Sequence, residues 1–287
     1  MSYPINYPTP QGANVQIFRG GDIQTSQSGT RDWVKPQGAS FVFFTLIGAG
    51  GGGGGSCFNT TDSLLYFGGG GASGNVTNFM SPAFLMPDQL KIRIGNGGNG
   101  GGSGTDNSTG TSGAAGQSTQ VLYQQKNNLG YELLIASGGG AGSGANAGAS
   151  ANGSNGSASA ADTGGPMTAA GFFNSTAGQS GASGGSGTLN VDDLTFLNGG
   201  IGCYYATGVT TGYYGYTASN LNGYSQISPI IMSLSGSDPI GVSSPKNRAS
   251  PFGSGGNGGG DIANNTSSSG NTSGTRGGDG LAIIVTW

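Results

Sequence analysis

Leu90-Lys91-Ile92-Arg93-Ile94-Gly95-Asn96-Gly97-Gly98-Asn99-Gly100-Gly101-Gly102-Ser103-Gly104 changes its period partway along. Leu90 to Ile94 alternates apolar and basic residues, which is a strand with Lys91 and Arg93 on a solvated face. From Gly95 the spacing becomes three: Gly95, Gly98, Gly101, Gly104. A flexible linker has no reason to hold such a register. A left-handed extended helix with three residues per turn does, because one whole edge then carries only hydrogen.

Both patterns recur along the chain. The threefold spacing returns at Gly68, Gly71, Gly74, at Gly110, Gly113, Gly116, and at Gly178, Gly181, Gly184, Gly187. It returns again at Gly253, Gly256, Gly259 and at Gly274, Gly277, Gly280. The run 138–165 keeps a poorer register and reads as either more of the same pattern, the preferred reading, or a disordered excursion. Between these lie short β-branched and aromatic runs bounded by Gly, Asn or Ser, which read as strands: Val15–Phe18, Phe41–Ile47, Leu90–Ile94, Thr119–Tyr123, Tyr131–Ala136, Ile227–Leu234 and Leu281–Trp287. Phe41–Ile47 and Leu281–Val285 are nearly unbroken apolar runs, expected to be buried on both faces.

Helices of this extended kind form no internal backbone hydrogen bonds, so their N–H and C=O groups need partners outside the segment. Glycine edges let several pack closely and bond to one another. The expected fold is therefore all-β: an antiparallel β core with an attached bundle of left-handed polyglycine-II-type helices and essentially no α-helix. Collagen fails because the triplet runs are short and nearly free of Pro. Ordering Gly costs more entropy than ordering any other residue, so bundle and strands should form one cooperative body over 30–287. Residues 1–29, with Pro4, Pro8 and Pro10 favouring extension, read as an attachment or assembly arm.

Composition narrows the function. Of 287 residues, 64 are Gly, against a usual ~7 %, and Glu132 is the one Glu. Gly costs a helix roughly 1 kcal/mol per position relative to Ala, so an ordinary helical domain is excluded. The net charge of −3, with 9 scattered cations, gives no patch for nucleic acid. No run of apolar residues is long enough for a transmembrane helix, and Met1-Ser2-Tyr3-Pro4 lacks a basic, apolar leader. Membrane insertion and classical secretion are not expected.

Chemistry-bearing motifs are few, and neither catalysis, a cofactor nor a metal is expected. Gly48–Gly53 fits a dinucleotide fingerprint, but that motif needs a following helix, and more glycine follows. Gly101–Asp106 starts like a calcium-binding nonapeptide, then places Ser108 where an apolar residue belongs. With no His there is no Ser-His-Asp triad and no imidazole base. Asp192 and Asp193 are adjacent and would face opposite sides of a strand, and Glu132 has no placed second carboxylate. Sequons at Asn59, Asn107 and Asn174 follow from an Asn/Ser/Thr-rich surface. Cys57 and Cys203 could form a disulfide, whereas a chain made in a reducing cytosol keeps them as thiols.

One cluster stands out: Tyr204, Tyr205, Tyr213, Tyr214, Tyr216 and Tyr224, among Gly, Thr, Ser and Asn. Rigid rings among small neighbours give contact area at low entropy cost, and Tyr faces stack on sugars, so these are the candidate host or glycan contacts. The alternatives are rings that cap the β core, pack on the glycine bundle or sit at a subunit contact.

The order of motifs resembles a known family. Thr30–Gly55 reads T-R-D-W-V-K-P-Q-G-A-S-F-V-F-F-T-L-I-G-A-G-G-G-G-G-G, and Leu133–Gly140 reads L-L-I-A-S-G-G-G. Ser250–Gly259 (S-P-F-G-S-G-G-N-G-G) precedes Gly277–Trp287 (G-G-D-G-L-A-I-I-V-T-W). Together with Leu90–Gly98 these are similar to the glycine-rich domain of bacteriophage tail-fibre and virion proteins. They share part of the layout of the glycine-rich domain of anaplastic-lymphoma-kinase-type receptors. The likeness covers about 30–287, with 203–235 a Tyr-rich insertion outside the repetitive pattern. It implies a jelly-roll-like β-sandwich beside glycine helices. It also implies a place on the virion surface, other virion proteins and a host glycan or protein receptor as partners, and a homo-oligomer, with trimers common in fibres. Two rival readings from the glycine pattern are an ice- or surface-binding protein and an extracellular filament or matrix component.

Overall fold

The computed structural model describes residues 12–20, 30–184 (apart from 62, 125–129, 150, 164–165 and 182), 252–259 (apart from 257) and 273–287. Two antiparallel sheets face each other. The first runs β1(Asn14–Arg19), β11(Leu281–Thr286), β3(Phe41–Ile47), β6(Val76–Pro82), β10(Phe172–Thr176). The second runs β2(Thr30–Val34), β7(Gln89–Arg93), β8(Thr119–Gln124), β9(Gly130–Ala136). A separate ribbon pairs β4(Cys57–Asn59) with β5(Leu64–Tyr66). Short 3₁₀ turns cover Ala83–Leu85 and Pro166–Ala170, and there is no α-helix among the described residues.

The fold class expected from the sequence is therefore the one found: all-β, with every sheet antiparallel. The pairing is nested. β3 pairs with β6 and, inside that pair, β4 with β5, while β2 pairs with β7 outside it. A long hairpin rolled over on itself gives this order, which is the jelly-roll principle. The β8–β9 hairpin extends the second sheet, and β4–β5 stands apart as its own ribbon.

Six of the seven strand runs read from the sequence are strands, within a residue at most ends. The seventh, Ile227–Leu234, lies outside the described residues. Leu281–Thr286 is buried throughout, as an unbroken apolar run predicts, whereas β3 exposes Phe41 and half-exposes Phe43 at its start. The inner faces of both sheets interlock around Trp33, Phe44, Phe79, Leu90, Ile92 and Leu134. Trp33 meets Phe44 edge-on at 5.9 Å between ring centroids, a favoured aromatic geometry. Thr77 Oγ1 donates across the sandwich to Ile135 O at 2.7 Å. Thr119 Oγ1 does the same to Ile47 O at 2.7 Å.

Nine glycine-rich segments leave or enter the sandwich at one end: 48–56, 67–75, 95–104, 110–118, 137–145, 151–159, 178–184, 252–259 and 273–280. The antiparallel registers require this, because the C-terminal ends of β3, β7, β9 and β10 and the N-terminal ends of β6, β8 and β11 all fall on the same side. At the opposite end Val34, Phe84 and Leu85 are exposed.

Segment 48–56 is the axis of this array. Its N–H groups turn to three neighbours in rotation: Gly51 donates to Ala72 O, Gly52 to Ala114 O and Gly53 to Thr275 O, at 2.9, 2.9 and 3.0 Å. Its carbonyls accept from three others: Gly256 on Gly51, Gly142 on Gly52 and Gly101 on Gly53, at 2.7, 2.9 and 2.8 Å. The six neighbours also bond to one another around a closed ring, in the order 67–75, 252–259, 273–280, 95–104, 110–118, 137–145. Segments 151–159 and 178–184 add outside this ring. The bonding recurs every third residue, and 138–165 contributes to it through 137–145 and 151–159.

Candidate functional site

The far end of the glycine array gathers three described turns. The β4–β5 ribbon carries one, residues 105–109 form the second and 146–151 the third. Asn side chains tie them together. Asn107 accepts from the Thr60 N–H at 2.8 Å and donates through Nδ2 to Thr60 Oγ1 at 2.6 Å. It sits at φ +58, a left-handed conformation that Asn tolerates better than most residues. Asn59 Nδ2 donates to Ala147 O at 3.0 Å, and Asn59 Oδ1 accepts from the Thr61 N–H at 2.8 Å. Thr109 Oγ1 donates to Asn146 Oδ1 at 3.3 Å. The result is a fixed polar surface that exposes Thr60, Thr61, Ser63, Leu64, Thr105 and Asn107. Asp106 is the one charged side chain among the described residues of these turns.

The sequence presents Asn59 and Asn107 as sequons, and their role as ties between turns is not visible there. The partner lies 88 positions away for Asn59 and 47 for Asn107. A local signal exists only for Asn107, in the turn-forming run Thr105-Asp106-Asn107-Ser108.

Cys57 lies just beneath this surface, fully buried with Ala145, Ala147 and the half-buried Tyr66. Burial pushes its thiol pKa above the usual value, against backbone hydrogen bonds at Gly110 and Ala147 that pull it down. A protonated thiol is a poor nucleophile. Alkylation of the native, reduced protein is therefore expected to leave Cys57 unmodified until denaturant opens the array, read by peptide mass. Rapid native labelling of Cys57 would mean that the far end opens freely.

Cys203 and the tyrosines Tyr204, Tyr205, Tyr213, Tyr214, Tyr216 and Tyr224 lie outside the described residues, as do Asp192 and Asp193. The described chain nevertheless shows where the stretch holding them is attached. It leaves at Gly184, whose N–H donates to Gly153 O at 2.8 Å, at the far end of the array. It returns at Phe252, packed near the sandwich with Ile47, Val76 and Leu281. The second undescribed stretch, 260–272, leaves and returns at the far end, after Gly259 bonded to Gly54 O and before Gly274 bonded to Gly101 O.

Among the described residues no three His, Cys, Asp or Glu side chains gather as metal ligands. The start of the calcium-like nonapeptide, Gly101–Asp106, runs from the array into the exposed 105–109 turn, where Thr105 and Ser108 bond to each other. Glu132 accepts from Gln120 Nε2 at 2.5 Å on an exposed face. Gly48–Gly53, the nucleotide-like run, is the start of the central segment, and its backbone groups bond to neighbouring segments.

No curated protein is significantly similar to the chain. A family profile described as a glycine-rich domain matches residues 25–287, which takes in both sheets from β2 onward and all nine segments. The chain belongs to this glycine-rich domain family.

Proposed function

We propose that the protein is a virion surface component, in a tail fibre, spike or capsid surface, that presents a rigid polar tip to the host. The central segment carries this reading. With its backbone bonds turned to six neighbours, it makes the array a stiff stalk about 25–30 Å long at ~3.1 Å per residue. The segments act as left-handed polyglycine-II-type helices, and the mechanism is passive presentation without catalysis. The sequence likeness to phage tail-fibre and virion domains supports the setting.

The tip turns, together with the tyrosines Tyr204, Tyr205, Tyr213, Tyr214, Tyr216 and Tyr224, would contact a host glycan or protein receptor. The opposite end, with Val34, Phe84 and Leu85 exposed, suits contact with other virion proteins, including copies of the chain in a homo-oligomer such as a trimer.

The test is attachment of the purified protein to host cells. Changing Tyr213, Tyr214 and Tyr216 together to Ala is expected to abolish attachment while leaving thermal melting unchanged. Loss of folding would favour a packing role for the rings, and full attachment would remove the tyrosines from the interface. Thermal hysteresis in the purified protein would replace the whole reading with an ice-binding one.

A further inference from the structure

The outward edge of the array at 95–104 is interrupted by side chains. Along this segment Gly98, Gly101 and Gly104 donate inward to the carbonyls of Gly50, Gly53 and Ser56, at 2.9, 2.8 and 2.8 Å. With three residues per turn, the N–H groups between them point about 120° to either side. On this segment, which is bonded to 48–56, 110–118 and 273–280, those two directions lead outward. They are the positions where a hexagonal array would take its next segments.

Side chains take three of these six donors, at Asn96, Gly97 and Gly102, and so interrupt both outward rows. The Gly102 N–H donates to Thr111 Oγ1 at 2.6 Å, and the Asn96 N–H to Gln117 Oε1 at 3.4 Å. On the other side the Gly97 N–H donates to Asp279 Oδ1 at 2.8 Å, and Arg276 holds that carboxylate through an ion pair. The same device recurs elsewhere on the rim. Gly178 donates to Asn75 Oδ1 at 2.8 Å, Gln179 to Ser73 Oγ at 2.8 Å and Ala158 to Ser180 Oγ at 3.2 Å.

An open row of backbone donors is a template for adding another chain, as at the edge of a β-sheet. The outward face of 95–104 would be such a row, with glycine to allow close approach. We propose that Thr111, Gln117 and Asp279 are terminators of the array, and that without them the 95–104 edge accepts a glycine segment from a second copy of this chain. The array is then finite because its rim is capped, and the number of segments the chain supplies does not by itself set the limit. This holds whatever particle the protein belongs to, so its failure would leave the virion reading untouched.

The experiment is sedimentation velocity over a hundredfold concentration range. Wild type is compared with the double variant Thr111→Val, Gln117→Met, which keeps the shape of both side chains and removes both acceptors. Thr111 and Gln117 are exposed. Asp279 is left in place because Arg276 depends on it. The variant is expected to gain a concentration-dependent association step absent from wild type. The amides of Asn96 and Gly102 should exchange with solvent faster than wild type at low concentration and regain protection at high concentration. The companion Thr111→Ser, Gln117→Glu, which keeps both acceptors, should sediment like wild type. Identical sedimentation of wild type and Thr111→Val, Gln117→Met at every concentration would overturn the proposal. If the double variant does not fold, Thr111→Val alone is read by the same criterion.

Discussion

Gly51→Ala is expected to take the array apart. A methyl group at Gly51 would sit 2.0 Å from Gly140 O and 2.5 Å from its carbonyl carbon, and the obstacle is backbone, which cannot swing aside. Overpacking a core ordinarily costs ~1–3 kcal/mol. Here relief requires moving 137–145 away from 48–56, which strains the bonds Gly139 to Ala49 O and Gly142 to Gly52 O, both 2.9 Å. The loss should exceed about 3 kcal/mol, a drop in melting temperature of roughly 10 °C. Gly102→Ala is the control. Its methyl group would meet nothing nearer than Thr111 Oγ1 at 3.5 Å, and restricting the unfolded chain should make it neutral or stabilising by ~0.4–1 kcal/mol. Equal melting curves for the two variants would show that close approach at the axis is not what requires glycine.

Phe44→Ala is expected to cost about 3–5 kcal/mol, as for other fully buried Phe residues. The ring lies between Trp33 and Phe79, with centroids at 5.9 and 6.4 Å. The diagnostic reading is hydrogen exchange rather than melting alone. β3 runs directly into 48–56, and Thr119 ties the sandwich to both Ile47 and the Gly95 N–H. Sandwich and array should therefore open together. A 3 kcal/mol loss lowers the protection of globally exchanging amides by a factor of roughly 10², and the factor should match for Phe44 and Gly51. Retained protection at Gly51 alongside loss at Phe44 would divide the protein into two independently folding parts.

The glycine spacing could be read because its cause is local. A position that must carry no side chain recurs every third residue, and Gly95, Gly98 and Gly101 display that recurrence without knowledge of their neighbours. Strands with strong apolar alternation, such as Leu90–Ile94, were legible for the same reason. β6 was not, because Val76-Thr77-Asn78-Phe79-Met80-Ser81-Pro82 mixes polar residues into both faces. Its strand state comes from pairing with β3 and β10 and from burying Phe79. β2 was not legible either, because Thr30-Arg31-Asp32-Trp33-Val34 is largely polar, and its strand state comes from pairing with β7 and burying Trp33. β4, β5 and β10 are short, and β10 sits at a sheet edge, so tertiary pairing decides them. The Tyr cluster announced itself by composition, while the Asn59, Asn107 and Asn146 ties join residues distant in the chain, and only Asn107 sits in a run that marks a turn locally. The nested pairing of β2–β7, β3–β6 and β4–β5 likewise follows from how the layers close.

The closed ring around 48–56 also bears on how the protein is made. That segment is synthesised early, yet its ring needs 273–280, and β11, which follows, must slot between β1 and β3. Until then the amides of Gly50 and Gly53, which donate to Gly278 O and Thr275 O, have only water as a partner. The ring therefore closes only after 273–280 has been made, and such long-range topology folds slowly. During that interval a glycine segment of a neighbouring nascent copy offers those two amides the same kind of acceptor that 273–280 later supplies.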